Sequence, residues 1–201
     1  MGAKRAFDLM TASIGLVILS PLFVVIACAV RCDTRGPVFY RGVRTGLNGI
    51  PFRIIKFRTM VPDAESLGSR VTARDDARVT RVGRVLRRYK LDELPQLINV
   101  IKGDMSVVGP RPEVSEYTAL YTDEERLILS VRPGITDYAS IEFVQLGEVV
   151  GSDLQDGAFE DRVRKVLEVK NALRVKYVHE QTLMGDIKLI LLTLKKLITG
   201  R

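Results

Sequence analysis

The residues most able to do chemistry lie in one run, Arg84-Val-Leu-Arg-Arg-Tyr-Lys-Leu-Asp-Glu-Leu-Pro-Gln96. In it the adjacent carboxylates Asp92 and Glu93 follow Arg87, Arg88 and Lys90. Pro95 fits best in the first turn of a helix, which makes Asp92 the expected N-cap and Glu93 the first helical residue. An acid at that place is an ordinary helix start. It is equally a place for catalysis: a carboxylate in a positive field stays ionised near neutral pH and can act as a nucleophile or metal ligand. The same field would hold an anionic phosphoryl group. Arg111, between two prolines in Val108-Gly-Pro-Arg-Pro112, and Arg132, in Arg132-Pro-Gly134, are each presented by a restricted loop. Lys56 and Arg58, two apart in an extended stretch, would project from one strand face.

Composition narrows the chemistry further. The chain of 201 residues has one histidine, His179, and two cysteines, Cys28 and Cys32, four apart in or beside an apolar run. A disulfide framework, a zinc site or a Ser-His-Asp triad would lack the residues it needs. Carboxylates and arginines remain. Of 31 basic residues 21 are arginine, and residues 31–90 hold 15 basic against 5 acidic groups. Arginine grips phosphate through two parallel hydrogen bonds, so this block suggests phosphate, an anionic membrane surface, or both. Aromatics are 6% and Trp is absent, so nucleic acid is not an expected partner.

These residues must be positioned by the elements around them. Leu9–Val30 is 22 residues without a charge. As helix it would extend about 33 Å, enough for a bilayer core of roughly 30 Å. Ser20-Pro21 sits at its middle, and basic residues flank both ends: Lys4 and Arg5 before it, Arg31, Arg35, Arg41 and Arg44 after it. The positive-inside tendency would place both ends in the cytoplasm, with the segment turning back at Ser20-Pro21; a kinked span is the alternative. Next, Val38–Arg41 and Pro51–Thr59 read as strands around a turn-rich 45–49, a β-hairpin. Residues 63–80 read as loop with short helix, 82–101 as helix with a break, and 103–112 as loop. Helix is expected again at 115–130, 158–178 and 184–198. In the last, Ile187, Ile190, Leu191, Leu194, Leu197 and Ile198 form a broad apolar face beside Lys188, Lys195 and Lys196, suited to a membrane surface or to core packing.

Three stretches together resemble the bacterial sugar transferase family, the monotopic phosphoglycosyl transferases. They are Lys56-Phe-Arg-Thr-Met60, the long run from Asp92-Glu-Leu-Pro-Gln96 through Gly103-Asp-Met-Ser-Val-Val-Gly-Pro-Arg-Pro112, and Val131-Arg-Pro-Gly-Ile-Thr136. The likeness extends from Lys4-Arg-Ala-Phe-Asp8 to Gly185-Asp-Ile-Lys188, nearly the whole chain, and looks like the family's minimal catalytic form. It implies an α+β, mainly helical fold in one domain, 1–201. Residues 5–31 would be a re-entrant membrane helix broken at Ser20-Pro21, and 32–201 a cytoplasmic catalytic part with a small β-hairpin and several helices at the membrane interface.

The resemblance also implies an activity. A sugar-1-phosphate would pass from a UDP-sugar to polyprenol (undecaprenyl) phosphate with Mg²⁺, releasing UMP, at the cytoplasmic face of the bacterial inner membrane. Asp92 would be nucleophile and magnesium ligand, Glu93 a base, and Arg87, Arg88, Arg111, Lys56 and Arg132 would hold phosphates. A homodimer is left open. The rival from another class is a non-catalytic adaptor binding anionic lipid. Two departures from the family pattern stand out. Many members continue Pro-Gly-Ile-Thr with a Gly-Trp-Ala-Gln type sequence and an Asn-Gly-Arg, whereas this chain has Asp137-Tyr-Ala-Ser-Ile-Glu-Phe-Val-Gln-Leu-Gly-Glu148. Some carry an acid where this chain has Arg174. The sugar is therefore not carried over.

Overall fold

A computed structural model describes residues 2–64, 76–139 and 158–199, the last stretch with side chains from 167 to 196. Expectations for 65–75 and 140–157, including most of the divergent 137–148 stretch, lie outside the described residues. The fold is mostly helical with two small sheets.

Helix α1, Ala3–Asp33, runs without interruption past Ser20-Pro21. The break expected there is not a break in the helix, for a reason visible in the side chains. Pro21 has no N–H for the Val17 carbonyl one turn back; the Ser20 hydroxyl donates to that carbonyl at 2.8 Å instead. In an apolar medium such substitution is what lets a proline persist inside a helix. The middle of α1 is bare: Val17, Ile18, Val24 and Val25 are all exposed, as are Cys28 and Cys32. The helix is long and apolar enough to cross a membrane.

Its two ends are not bare. Near the N-terminus Ala12 enters a core with Ile54, Val100, Met105, Val107, Val108, Tyr177 and Leu189. There Arg5 donates to the Val100 and Ile101 carbonyls (2.7 and 3.2 Å), and buried Asp8 accepts from the Ser106 hydroxyl (2.9 Å) and the Val107 N–H (3.0 Å). At the other end Ile26 and Val30 pack with Phe57 and Leu86 in a second core. Buried Arg58 closes that end, donating to the carbonyls of Pro37 (2.6 Å) and Thr34 (2.8 Å) and to the Thr34 hydroxyl (2.6 Å).

Strands β1 (Phe39–Thr45) and β2 (Pro51–Phe57) form the expected antiparallel hairpin, with Tyr40 opposite Lys56. The turn between them includes Asn48 in the left-handed region (φ 55). Helix α2 (Arg81–Arg88) begins at Thr80, whose side chain caps it by accepting from the Gly83 N–H. A Cβ at Gly83 would sit 2.1 Å from the Thr59 carbonyl oxygen, so glycine allows α2 to lie against the end of the hairpin. Helix α3 (Gln96–Lys102) ends at Gly103, left-handed at φ 94.

The loop expected at 103–112 contains a strand, β3 (Ser106–Val108), paired in parallel with β4 (Gly134–Thr136). The helix expected over 115–130 is instead a single turn, α4 (Ser115–Thr118), and a 3₁₀ stretch, Glu125–Ser130. Helices α5 (Ala158–Glu180) and α6 (Leu183–Thr199) match expectation. The apolar face foreseen on α6 is divided. Asp186 and Leu189 face the core, whereas Leu191 (62% exposed) and Leu194 (51%) point outward. Both readings of α6, core packing and an exposed apolar face, hold on different sides of it.

Candidate active site

Asp92 is not the N-cap of α3. Lys90 takes a left-handed conformation (φ 54) after α2, and a separate 3₁₀ turn, Leu91–Glu93, follows. Pro95 occupies the capping position of α3. This correction matters chemically. No backbone N–H ties up the Asp92 side chain, which has no hydrogen bond or ion pair among the described residues.

Glu93 is held tightly. The Lys56 Nζ donates to it at 2.8 Å, and Arg111 grips both carboxylate oxygens, through Nη1 at 3.0 Å and through Nη2. Three separate elements bring these groups together. Lys56 comes from β2, Glu93 from the 3₁₀ turn, and Arg111 from the loop after β3. Buried Asn99 ties two of those elements. Its Oδ1 accepts the Ile55 N–H (2.9 Å) and its Nδ2 donates to the Arg53 carbonyl (2.8 Å), so it pairs with β2 as a neighbouring strand would. The crossing of β3 and β4 fixes the Arg111 loop. A Cβ at Gly134 would sit 2.0 Å from the Gly109 nitrogen, so only glycine allows this approach.

The two carboxylates titrate in opposite directions. Burial pushes the Asp92 carboxyl up, and the Glu93 charge beside it adds to that push; Lys56, Arg87 and Arg111 together only reduce it. The positive field foreseen from the sequence is present but does not prevail. For Glu93 burial also opposes ionisation, yet Arg111 and Lys56 outweigh it and hold the carboxyl well below the usual carboxylate range. Lys56 is itself lowered, by burial first and then by Arg111.

Of the seven residues expected at the site, five gather: Lys56, Arg87, Asp92, Glu93 and Arg111. The Arg87 Nε donates to the Thr59 hydroxyl at 2.9 Å, which aims the arginine from the end of α2. Arg88 and Arg132 stand apart. Arg88 is exposed and lies over the Tyr89 ring, and exposed Arg132 donates to the Gly103 carbonyl at 2.9 Å. Sequence reasoning missed Asp137, which accepts the Arg111 N–H at 3.1 Å, and Asn99. Asn99 lies in the motif already singled out, so its type and place were in view; Asp137 carried no local signal.

Among the described residues no group of three or more His, Cys, Asp or Glu could hold a metal ion. Magnesium, however, is commonly held by one or two carboxylates together with substrate phosphates. With Glu93 occupied by two cations, Asp92 is the carboxylate of the pair that fits this mode.

The chain matches the bacterial sugar transferase family over residues 1–200. It is 40% identical over 98% of its length to an undecaprenyl-phosphate glucose phosphotransferase of Komagataeibacter xylinus, although it spans only 36% of that protein. It is 37% identical to the uncharacterized sugar transferase EpsL of Bacillus subtilis (strain 168), covering 98% of this chain and 88% of that one. It is 34% identical to the UDP-glucose:undecaprenyl-phosphate glucose-1-phosphate transferase of Caulobacter vibrioides (strain ATCC 19089 / CIP 103742 / CB 15), over 98% of this chain and 70% of the relative. The chain belongs to the bacterial sugar transferase family, and transferase is the enzyme class these names carry.

Proposed function

We propose that this member of the family transfers a sugar-1-phosphate from a UDP-sugar to polyprenol phosphate and releases UMP, as the first membrane step of bacterial glycan assembly. The observation that carries the reading is the asymmetry of the carboxylate pair. Asp92 is left without a partner among the described residues, while Glu93 is fixed by Lys56 and Arg111.

In the first step an Asp92 carboxylate oxygen attacks the phosphorus that bears the sugar. The bond from that phosphorus to the bridging oxygen of UMP breaks, and UMP leaves with the electron pair. In the second step a phosphate oxygen of polyprenol phosphate attacks the same phosphorus. The acyl-phosphate bond breaks, and Asp92 returns as a carboxylate. Lys56, Arg87 and Arg111 face the shifting charge and supply its electrostatic stabilisation. Glu93 is better suited to anchoring Lys56 and Arg111 than to taking a proton, because both of its oxygens are engaged. A phosphate monoester is largely ionised at neutral pH, with its second pKa about 6, so the acceptor does not demand a strong base. Bound by Asp92 and substrate phosphates, Mg²⁺ would neutralise pyrophosphate charge.

The same reading has α1 re-entrant and the rest of the chain at the cytoplasmic face of the inner membrane. Support comes from its two ends: Ala12 and Ile26 enter separate cores that β2 joins through Ile54 and Phe57. A helix with both ends seated on one body has difficulty placing them on opposite sides of a bilayer. The exposed Leu191 and Leu194 of α6 offer a further interfacial surface.

A screen of UDP-sugars with Mg²⁺ and polyprenol phosphate tests the function. UMP release with at least one sugar is expected. No release from folded protein that still binds anionic vesicles would favour the lipid-binding adaptor instead.

A further inference from the structure

Behind Arg111 lies a charged group that the proposed chemistry does not use. Asp137 (1% exposed) accepts the Arg111 N–H, and Glu113 follows one residue after Pro112. Arg174 (2% exposed), from α5, reaches both acids. Its Nη2 donates to Glu113 Oε1 at 2.8 Å, and its Nε stands 3.6 Å from Asp137 Oδ2. Its Nη1 donates to Asn171 Oδ1 at 3.0 Å, and Asn171 in turn donates to Glu125 at 2.8 Å.

The Arg111 guanidinium therefore has three acids within electrostatic reach: Glu93, which it grips, then Asp137 and Glu113. Lys90 and Lys170 sense the same group from other elements. A buried carboxylate that loses one cationic neighbour is destabilised and draws more strongly on the other cations within reach; the Arg174 Nε stands near Asp137 as an ion-pair neighbour without a hydrogen bond. Arginine suits this place because its fork can serve two carboxylates, whereas lysine is one point charge.

We propose that Arg174 is a positioning residue: by holding Asp137 and Glu113 it keeps those carboxylates from drawing the Arg111 guanidinium away from Glu93. The inference rests on the phosphate-binding role proposed for Arg111 and extends it to a residue outside the family motifs singled out above. Arg174 touches no substrate in this account. It acts through the loop at 110–113.

The test compares wild type, R174Q, R174K and the double variant D137N/R174Q, each as the full chain in detergent. In crystal structures the Arg111 guanidinium is expected to leave Glu93 for Asp137 in R174Q and to return in D137N/R174Q, where the charge at Asp137, the nearer competitor that takes the Arg111 N–H, is gone. In kinetics R174Q is expected to lose about 10- to 100-fold in kcat/KM for the UDP-sugar, mainly through KM, as for misplacement of a substrate-holding group. R174K should lose less, and D137N/R174Q should recover most of the loss. If R174Q does not fold, R174K and the double variant carry the comparison: greater loss in R174K than in the double variant supports the proposal. Arg111 still on Glu93 in R174Q, or a double variant no better than R174Q, would overturn it. If wild type releases no UMP, the proposed function falls, and the crystal comparison still decides the place of Arg111.

Discussion

Two adjacent acids of similar intrinsic strength are driven apart by their surroundings, and the proposed mechanism gives each a different task. Glu93 is held ionised by Arg111 and Lys56 against the effect of burial. Its folded pKa lies below its unfolded one, so its stabilisation is fully present above the unfolded value, about 4.3, and declines as pH falls below it. The Tm of wild type should therefore drop between about pH 5 and pH 3 by more than that of Glu93→Gln, in which this titration is gone. Parallel curves would contradict the assignment. Asp92 shows the opposite sign. Its carboxyl is raised by burial and by Glu93, so the folded state is less stable with Asp92 ionised, above its folded pKa. Asp92→Asn should then raise Tm at pH 7 while abolishing turnover. A lower Tm would mean that Asp92 supports the fold. Five of the seven residues expected at the site lie together around the carboxylate pair, and at those five motif and charge coincide in the sequence. Arg88 and Arg132 look the same on paper. Only the direction of each side chain separates them, and a list of residues does not contain it. Asp137 and Arg174 were illegible for a different reason: their pairing joins β4 to a helix well downstream.

At the scale of elements, legibility followed length and periodicity. The hairpin and helices α5 and α6 carry sustained patterns and appeared where expected. Strands β3 and β4 are three residues each, and both sit beside Gly-Pro or Pro-Gly, which read as loop. The helix start lies beyond Asp92 because Pro95 fits the cap as well as the first turn, and Lys90 takes the left-handed region with no glycine to announce the turn. Helix α1 is the element with the most at stake. Its continuity through Pro21 depends on Ser20 satisfying the Val17 carbonyl, so Ser-Pro here marks a repaired helix. A re-entrant α1 predicts that a cysteine introduced at position 3 is labelled by an impermeant reagent from the cytoplasmic side. Labelling only from the opposite side would establish a full span.

For the whole molecule, charge and hydrophobicity follow one plan. The uncharged middle of α1 is exposed, and its two ends are bound into the body, through Arg5 at one and Asp33 at the other. The basic block at 31–90 supplies Lys56 and Arg87 to the site, Arg58 to the end of α1, and an exposed remainder including Arg41, Arg53 and Arg84. Scarce histidine and cysteine fit the proposed reaction, which would need only carboxylates, arginines and a substrate-borne magnesium ion. In the proposed mechanism Asp92 carries the phosphosugar between donor and acceptor. Intact-protein mass spectrometry of the detergent-purified chain, incubated with an active UDP-sugar and Mg²⁺ but no polyprenol phosphate, tests it most directly. One added sugar phosphate is expected on the peptide containing Asp92, lost on adding polyprenol phosphate and absent from Asp92→Asn. Sustained turnover by Asp92→Asn would contradict it.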